Sequence, residues 1–278
     1  MDGLQYCMER IAPVGANDYY LSLWLPSGLR GRYLAVMTLR HELLDIIDKV
    51  QDGQVALAKL DWWRGELDKT VAGLASHPLT VLIQPWAQSD PQLVGQLRRM
   101  CDGVEMLLHT GRLASESAFE QFCDCLGGDP WTLLAKAAGI EDLAVLAEVR
   151  SVGKAITLLE VMQQVAAAAR RGVMLIPVPM MQRCQLTVNS WQGEGPGQPF
   201  ISAITEWDGL ALDWMSALHQ AGSLHRHRRV WFVMAAGRMA ETTLAEIRLA
   251  GWDSLLRQRI SLTPLRKMWI CWRTRVLG

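Results

Sequence analysis

The chain lacks an excess of either charge: Lys and Arg together number 28, and so do Asp and Glu. Nucleic acid attracts its partners through clustered cations that meet many phosphates, so no nucleic-acid partner is expected. The six cysteines, at 7, 101, 123, 125, 184 and 271, include no CxxC pair and no matching histidine pair, which removes the usual zinc-site spacings. Cys123 and Cys125 read as reduced thiols of a cytosolic protein. No basic start leads into an apolar run, so no secretory signal is expected. The stretch 70–89 carries no formal charge, but Pro78, Pro85 and several polar side chains interrupt it, and it does not read as a membrane span.

Strand signals are scarce as well, and neither a fixed-period repeat nor a long polar linker divides the chain. Helical periodicity takes their place. Apolar residues recur at helical spacing over 33–50, 55–74, 91–108, 117–125, 142–169, 201–220 and 230–249. Breaks are expected at Pro26–Ser27–Gly28, at His77–Pro78, at Gly127–Gly128–Asp129–Pro130 and over 192–199, where glycines and prolines cluster. Half of the residues are hydrophobic, enough for a large core in 278 residues. The reading is all-α, as one domain over residues 1–278.

Three segments carry chemistry. Residues 33–78 contain YLAVMTLRHELLDIIDKV and AKLDWWRGELDKTVAGLASHP; residues 157–177 read TLLEVMQQVAAAARRGVMLIP; residues 255–278 read LLRQRISLTPLRKMWICWRTRVLG. Together they resemble the squalene/phytoene synthase family, the trans-isoprenyl diphosphate synthases that join two prenyl diphosphates head to head. The family shows D-D-x-x-D before K-L-x-W-W-R-x-E-L and a His-Pro, and later G-x-A-x-Q-L-T-N-I-x-R-D-V-x-x-D before R-G-R-x-Y-L-P. The third segment is similar to bacterial members associated with hopanoid lipid synthesis, and YYLSLWLP (19–26) and DGVEM (102–106) are weaker echoes. The resemblance implies an isoprenoid synthase-type helical bundle around a central apolar cavity, with an isoprenoid or prenyl diphosphate as ligand.

In that family two aspartate-rich motifs on facing helices bind magnesium, which holds the diphosphates and assists their departure. Magnesium wants hard oxygen ligands, and carboxylates four apart on one helical face supply them. Carried over residue by residue, the pattern departs here. The leading aspartate of the first motif is Leu44, Asp45 and Asp48 remain, and the preceding arginine is His41. In the second motif the asparagine is Glu160, and the two aspartates are Gln164 and Ala168. The later tyrosine is Leu175, and Leu107 stands where an acid is expected after DGVEM. The candidate site is therefore His41, Asp45, Asp48, Glu160, Gln164 and Ala168. Asp45, Asp48 and Glu160 are the remaining metal-ligand candidates, with magnesium as the cofactor if the chemistry survives.

Structural roles compete with functional ones. Asp45 and Asp48 also read as solvated or structural carboxylates, and His41 as a satisfied polar residue. Trp62 and Trp63 read as core packing, with Arg64 paired to Glu66 or another carboxylate. Residues 225–231, HRHRRVW, read as a solvated helix start. Together with Lys267–Met268–Trp269 and Trp272–Arg273 they also read as a contact with anionic lipid headgroups at the inner membrane. The leading expectation is a cytoplasmic pseudoenzyme that keeps the prenyl-binding cavity without the magnesium-diphosphate site, binding a lipid or acting as a scaffold. The alternatives are a divergent but active prenyl transferase, and a non-catalytic partner of an active paralogue or a respiratory-complex assembly factor, since such factors share the family fold.

Overall fold

A computed structural model describes residues 2–50, 52–90, 92–187, 197–219 and 223–277. Its helices are α1 (Gly3–Ile11), α2 (Asn17–Leu23), α3 (Ser27–Lys49), α4 (Gly53–Val71), α5 (Pro78–Ser89), α6 (Gln92–Leu108), α7 (Glu116–Cys123) and α8 (Asp129–Ala137). They continue with α9 (Leu143–Arg170), α10 (Val178–Arg183), α11 (Gln198–Met215), α12 (Ser223–Arg226), α13 (Trp231–Ala250), α14 (Ser254–Arg257) and α15 (Pro264–Leu277). No strand forms among the described residues, where an isolated bridge joins Arg112 to Met174. The all-α reading holds.

Local chemistry sets the helix ends. Asp52 accepts from the Gln54 N–H at 2.8 Å to start α4, Ser115 from Ala118 at 3.0 Å to start α7, and Asp142 from Ala144 at 2.8 Å to start α9. Gly172, at φ 83°, and Gly251, at φ 85°, take the left-handed backbone just past the ends of α9 and α13. The expected break over 192–199 lies outside the described residues up to 196, as do Pro91, Gln220 and Gly278 of the other segments.

α9 is apolar nearly all round. Val152, Ala155, Leu158, Val161, Met162, Val165 and Ala168 are all buried, as a helix enclosed on every side requires. α8, α11 and α13 pack around it. α3 buries Tyr33 to Leu39 and packs on α1, α5, α6 and α8. The six cysteines are free and buried, so the chain carries no disulfide.

The break expected at residues 127–130 does not occur. The chain passes from α7 through a π-helical turn, Asp124–Gly128, directly into α8. The glycines serve close packing instead of turning. A Cβ on Gly127 would lie 2.2 Å from the Gly153 carbonyl oxygen, and one on Gly153 would lie 2.6 Å from the Gly127 carbonyl oxygen. Pro130 is accommodated in the first turn of α8. α5 continues through Pro85; the carbonyl it leaves unpaired belongs to Val81, whose side chain is exposed.

The tryptophan pair divides. Trp63 is buried, whereas Trp62 is about half exposed, and both meet His77 edge to face. Arg64 pairs with Glu105 at 2.6 Å and Asp102 at 2.9 Å, not with Glu66. Glu66 instead gathers the start of α5: it accepts from Lys69 at 2.6 Å, the Ser76 hydroxyl at 2.9 Å, the His77 N–H at 3.2 Å and the Thr80 hydroxyl at 3.0 Å.

Candidate functional site

α3 and α9 bring the two motif regions together. Leu44, Asp45 and Asp48 from α3 line one chamber of about 160 Å³ with Glu160, Gln164 and Ala168 from α9, and His41 and Leu175 complete its wall. A larger cavity of about 480 Å³ shares Arg40, His41, Glu160 and Arg259 with it. One wall of that cavity is apolar, with Ile11, Leu21, Met37, Trp131, Ile156, Leu159 and Ala240; the remainder includes Arg259, Lys267 and Asp18.

Each surviving carboxylate is held by an arginine of the chain itself. Asp45 accepts from Arg10 at 2.7 Å and from Lys49 at 2.6 Å, with His41 at 3.7 Å. Asp48 accepts from Arg171 at 2.6 Å. Glu160 accepts from Arg40, which also donates to the Leu126 carbonyl and, at 3.1 Å, to the Thr157 hydroxyl. Arg10 further pairs with Glu42. Burial raises the Asp48 pKa, with Arg171 opposing it and Asp45 adding to it. Arginine remains charged at any ordinary pH and presents a planar fork of donors that suits a carboxylate.

Magnesium does not fit this donor set. The facing positions offer an amide, Gln164, and a methyl, Ala168, and the oxygens of Asp45, Asp48 and Glu160 already face guanidinium groups. Among the described residues, no cluster of three or more His, Cys, Asp or Glu is arranged to hold a metal ion. The ion demands near-octahedral oxygen coordination, which adjacent fixed cations oppose.

The cationic groups of the larger cavity differ in their surroundings. The buried Lys267 donates to the Gly15 carbonyl at 2.8 Å and the Ser261 hydroxyl at 3.0 Å; burial lowers its pKa, Arg259 lowers it further, and Asp18 raises it. Arg259 makes no ion pair among the described residues. The Tyr33 hydroxyl donates to Asp18 at 2.6 Å, and burial raises the Asp18 pKa. The lipid-contact reading of residues 267–269 needs correction at its first position, because Lys267 faces the cavity.

Arg10, Arg40, Arg171, Arg259 and Lys267 did not enter the candidate site from the sequence. Arg40 and Arg171 adjoin the motifs in the chain, but their pairing with the opposite motif is a tertiary fact.

Solved structures define the class. The chain has the architecture of a dehydrosqualene synthase solved in complex with ligand, at TM-score 0.77 and 14% identity over 99% of this chain and 96% of that one. The squalene synthase HpnC from Alicyclobacillus acidocaldarius matches at TM-score 0.75 and 16% identity over 90% and 95%. YisP from Bacillus subtilis subsp. subtilis strain 168 matches at 0.68 and 13% over 97% and 94%. The fold is thus the all-α isoprenoid synthase bundle. The squalene/phytoene synthase family model matches residues 11–266, and the chain belongs to that family. No curated protein is significantly similar to it in sequence.

Proposed function

We propose that this protein is a squalene/phytoene synthase-like binder of an isoprenoid lipid that does not carry out the metal-assisted ionisation of a prenyl diphosphate. The observation that carries the reading is the pairing of Asp45, Asp48 and Glu160 with Arg10, Arg171 and Arg40. In this reading the motif positions no longer gather cations; they bolt α3 to α1, to α9 and to the segment after α9. The apolar wall of the larger cavity takes the prenyl chain, gaining about 25 cal/mol per Å² of apolar surface buried. Arg259 and Lys267 receive the polar head, because neither forms an ion pair among the described residues.

Calorimetry with farnesol and farnesyl diphosphate, with and without magnesium, tests the reading. Both ligands are expected to bind, and magnesium is expected to leave both affinities unchanged. Magnesium-dependent release of diphosphate from farnesyl diphosphate, at a rate proportional to protein and abolished by Asp48→Ala, would assign the chain to the divergent transferases instead.

A further inference from the structure

α15 is built inside out. It buries Lys267, Cys271 and Thr274, at i, i+4 and i+7, and exposes Leu265, Met268, Trp269, Trp272 and Val276. The exposed set forms one stripe at i, i+3, i+4, i+7 and i+11. Leu265 is 74% exposed, Trp269 57% and Trp272 41%. The two indoles stack with centroids 5.0 Å apart, so the stripe is a continuous apolar plate. A surface helix normally turns its large apolar side chains inward and its cations outward. A reversed helix of this kind belongs against a second apolar phase.

Charge indicates which phase. α15 contains no Asp or Glu, and Arg273 is exposed next to Trp272. Arg228 reaches the Val276 carbonyl at 3.5 Å, which brings it to the C-terminal end of the stripe, and Arg226 and Arg229, its neighbours in the chain, are exposed as well. Among the described residues of α15, Arg266 pairs with Glu246, and neither Arg273 nor Arg275 forms an ion pair. No described helix is long and apolar enough to cross a membrane, so the plate suits the interface and not the hydrocarbon core.

We infer that the Trp269–Trp272 face of α15 docks on an anionic lipid surface, with the indoles at headgroup depth and Arg226, Arg228 and Arg273 against headgroup charge. Lys267, on the opposite side of the same helix, lines the larger cavity, so docking places that cavity one helix diameter, roughly 10 Å, from the lipid. The surface and the cavity rest on different residues, and either assignment can fail without the other.

Flotation of the full chain with vesicles tests it. Binding is expected to vesicles of phosphatidylcholine with phosphatidylglycerol, not to phosphatidylcholine alone, and to weaken as salt rises. The double variant Trp269→Ser, Trp272→Ser is expected to weaken binding by at least about tenfold. Arg273→Glu is expected to weaken it by on the order of tenfold, and Arg273→Lys to retain it. These side chains are exposed, so the melting temperature of each variant should stay at the wild-type value; that measurement separates lost docking from lost folding. Equal binding to neutral vesicles, or wild-type flotation of the double variant, overturns the assignment. So does the absence of vesicle binding with a dimer that the double variant converts to monomer, which would give the face to a second copy of the chain.

Discussion

At the scale of single residues, an arginine of the chain itself faces each of Asp45, Asp48 and Glu160. A divalent cation can leave and be exchanged, whereas Arg40 is covalently part of α3 and satisfies three acceptors at once: the Leu126 carbonyl, the Thr157 hydroxyl and Glu160. Arg40→Met keeps the apolar stem but removes the donors. It is expected to lower unfolding free energy by about 2–3 kcal/mol, since a carbonyl and a carboxylate lose their partner together. Urea denaturation measures it, and a loss near zero would mean that water replaces the guanidinium without penalty.

Glu66 gives the second residue-scale prediction. Burial opposes its charge, yet hydrogen bonds from Lys69, Ser76 and His77 outweigh burial and hold its pKa down at about 2, from 4.5. The folded value lies below the unfolded one, so the stabilisation is present in full above pH 4.5 and is lost as pH falls towards 2. Glu66→Gln is expected to flatten that acid limb of the stability profile and to destabilise at neutral pH by about 2–3 kcal/mol. Melting curves across the acid range check both effects. The motif positions themselves were legible as residues because their spacing survives around Asp45 and Asp48. Their partners were not, since Arg10 lies 35 residues from Asp45 and Arg171 lies 123 from Asp48.

At the scale of elements, α3 begins six residues before the expected 33 and α5 was not expected as a helix, whereas periodicity located α4, α6, α9 and α13 to within three residues at each end, because their apolar stripes follow the packing that stabilises them. It failed at Gly127–Gly128, where glycine serves two unrelated purposes. A glycine can permit a turn, or it can permit two backbones to touch. Neither Gly127 nor Gly128 takes a positive φ, and the contact with Gly153 on α9 shows the second use. The pattern alone does not distinguish the two, because the deciding partner lies 26 residues further along the chain. Gly127→Ala is accordingly expected to destabilise by about 3 kcal/mol or more through overpacking, far beyond the helix-propensity gain that alanine brings at a tolerant site. Gly95, which has open space at its Cβ position within α6, is the matched control. Gly95→Ala is expected to be neutral or stabilising, by up to about 1 kcal/mol. Equal effects at both positions in thermal unfolding would refute close packing as the role of Gly127.

At the scale of the whole molecule, the fold is the family's helical bundle, and Leu44, Gln164 and Ala168 stand together where α3 faces α9. That arrangement predicts how repair fails. Restoring carboxylates with Leu44→Asp, Gln164→Asp and Ala168→Asp supplies oxygens, but Arg10, Arg40 and Arg171 still face the surviving acids. The triple variant is therefore expected to show neither diphosphate release from farnesyl diphosphate nor a magnesium-dependent rise in melting temperature. Ala168 is buried, so the variant should also melt lower than wild type, which makes the metal-dependent increment the informative quantity. Adding Arg40→Gln and Arg171→Gln removes the fixed positive charge beside Glu160 and Asp48. In that five-site variant magnesium is expected to raise the melting temperature, because a cation bound only by the folded state stabilises it by RT ln(1 + [L]/Kd), about 2.7 kcal/mol at a hundredfold excess over Kd. If the triple variant alone gains the magnesium response, the arginines do not block the site, and the lost aspartates account for its character by themselves.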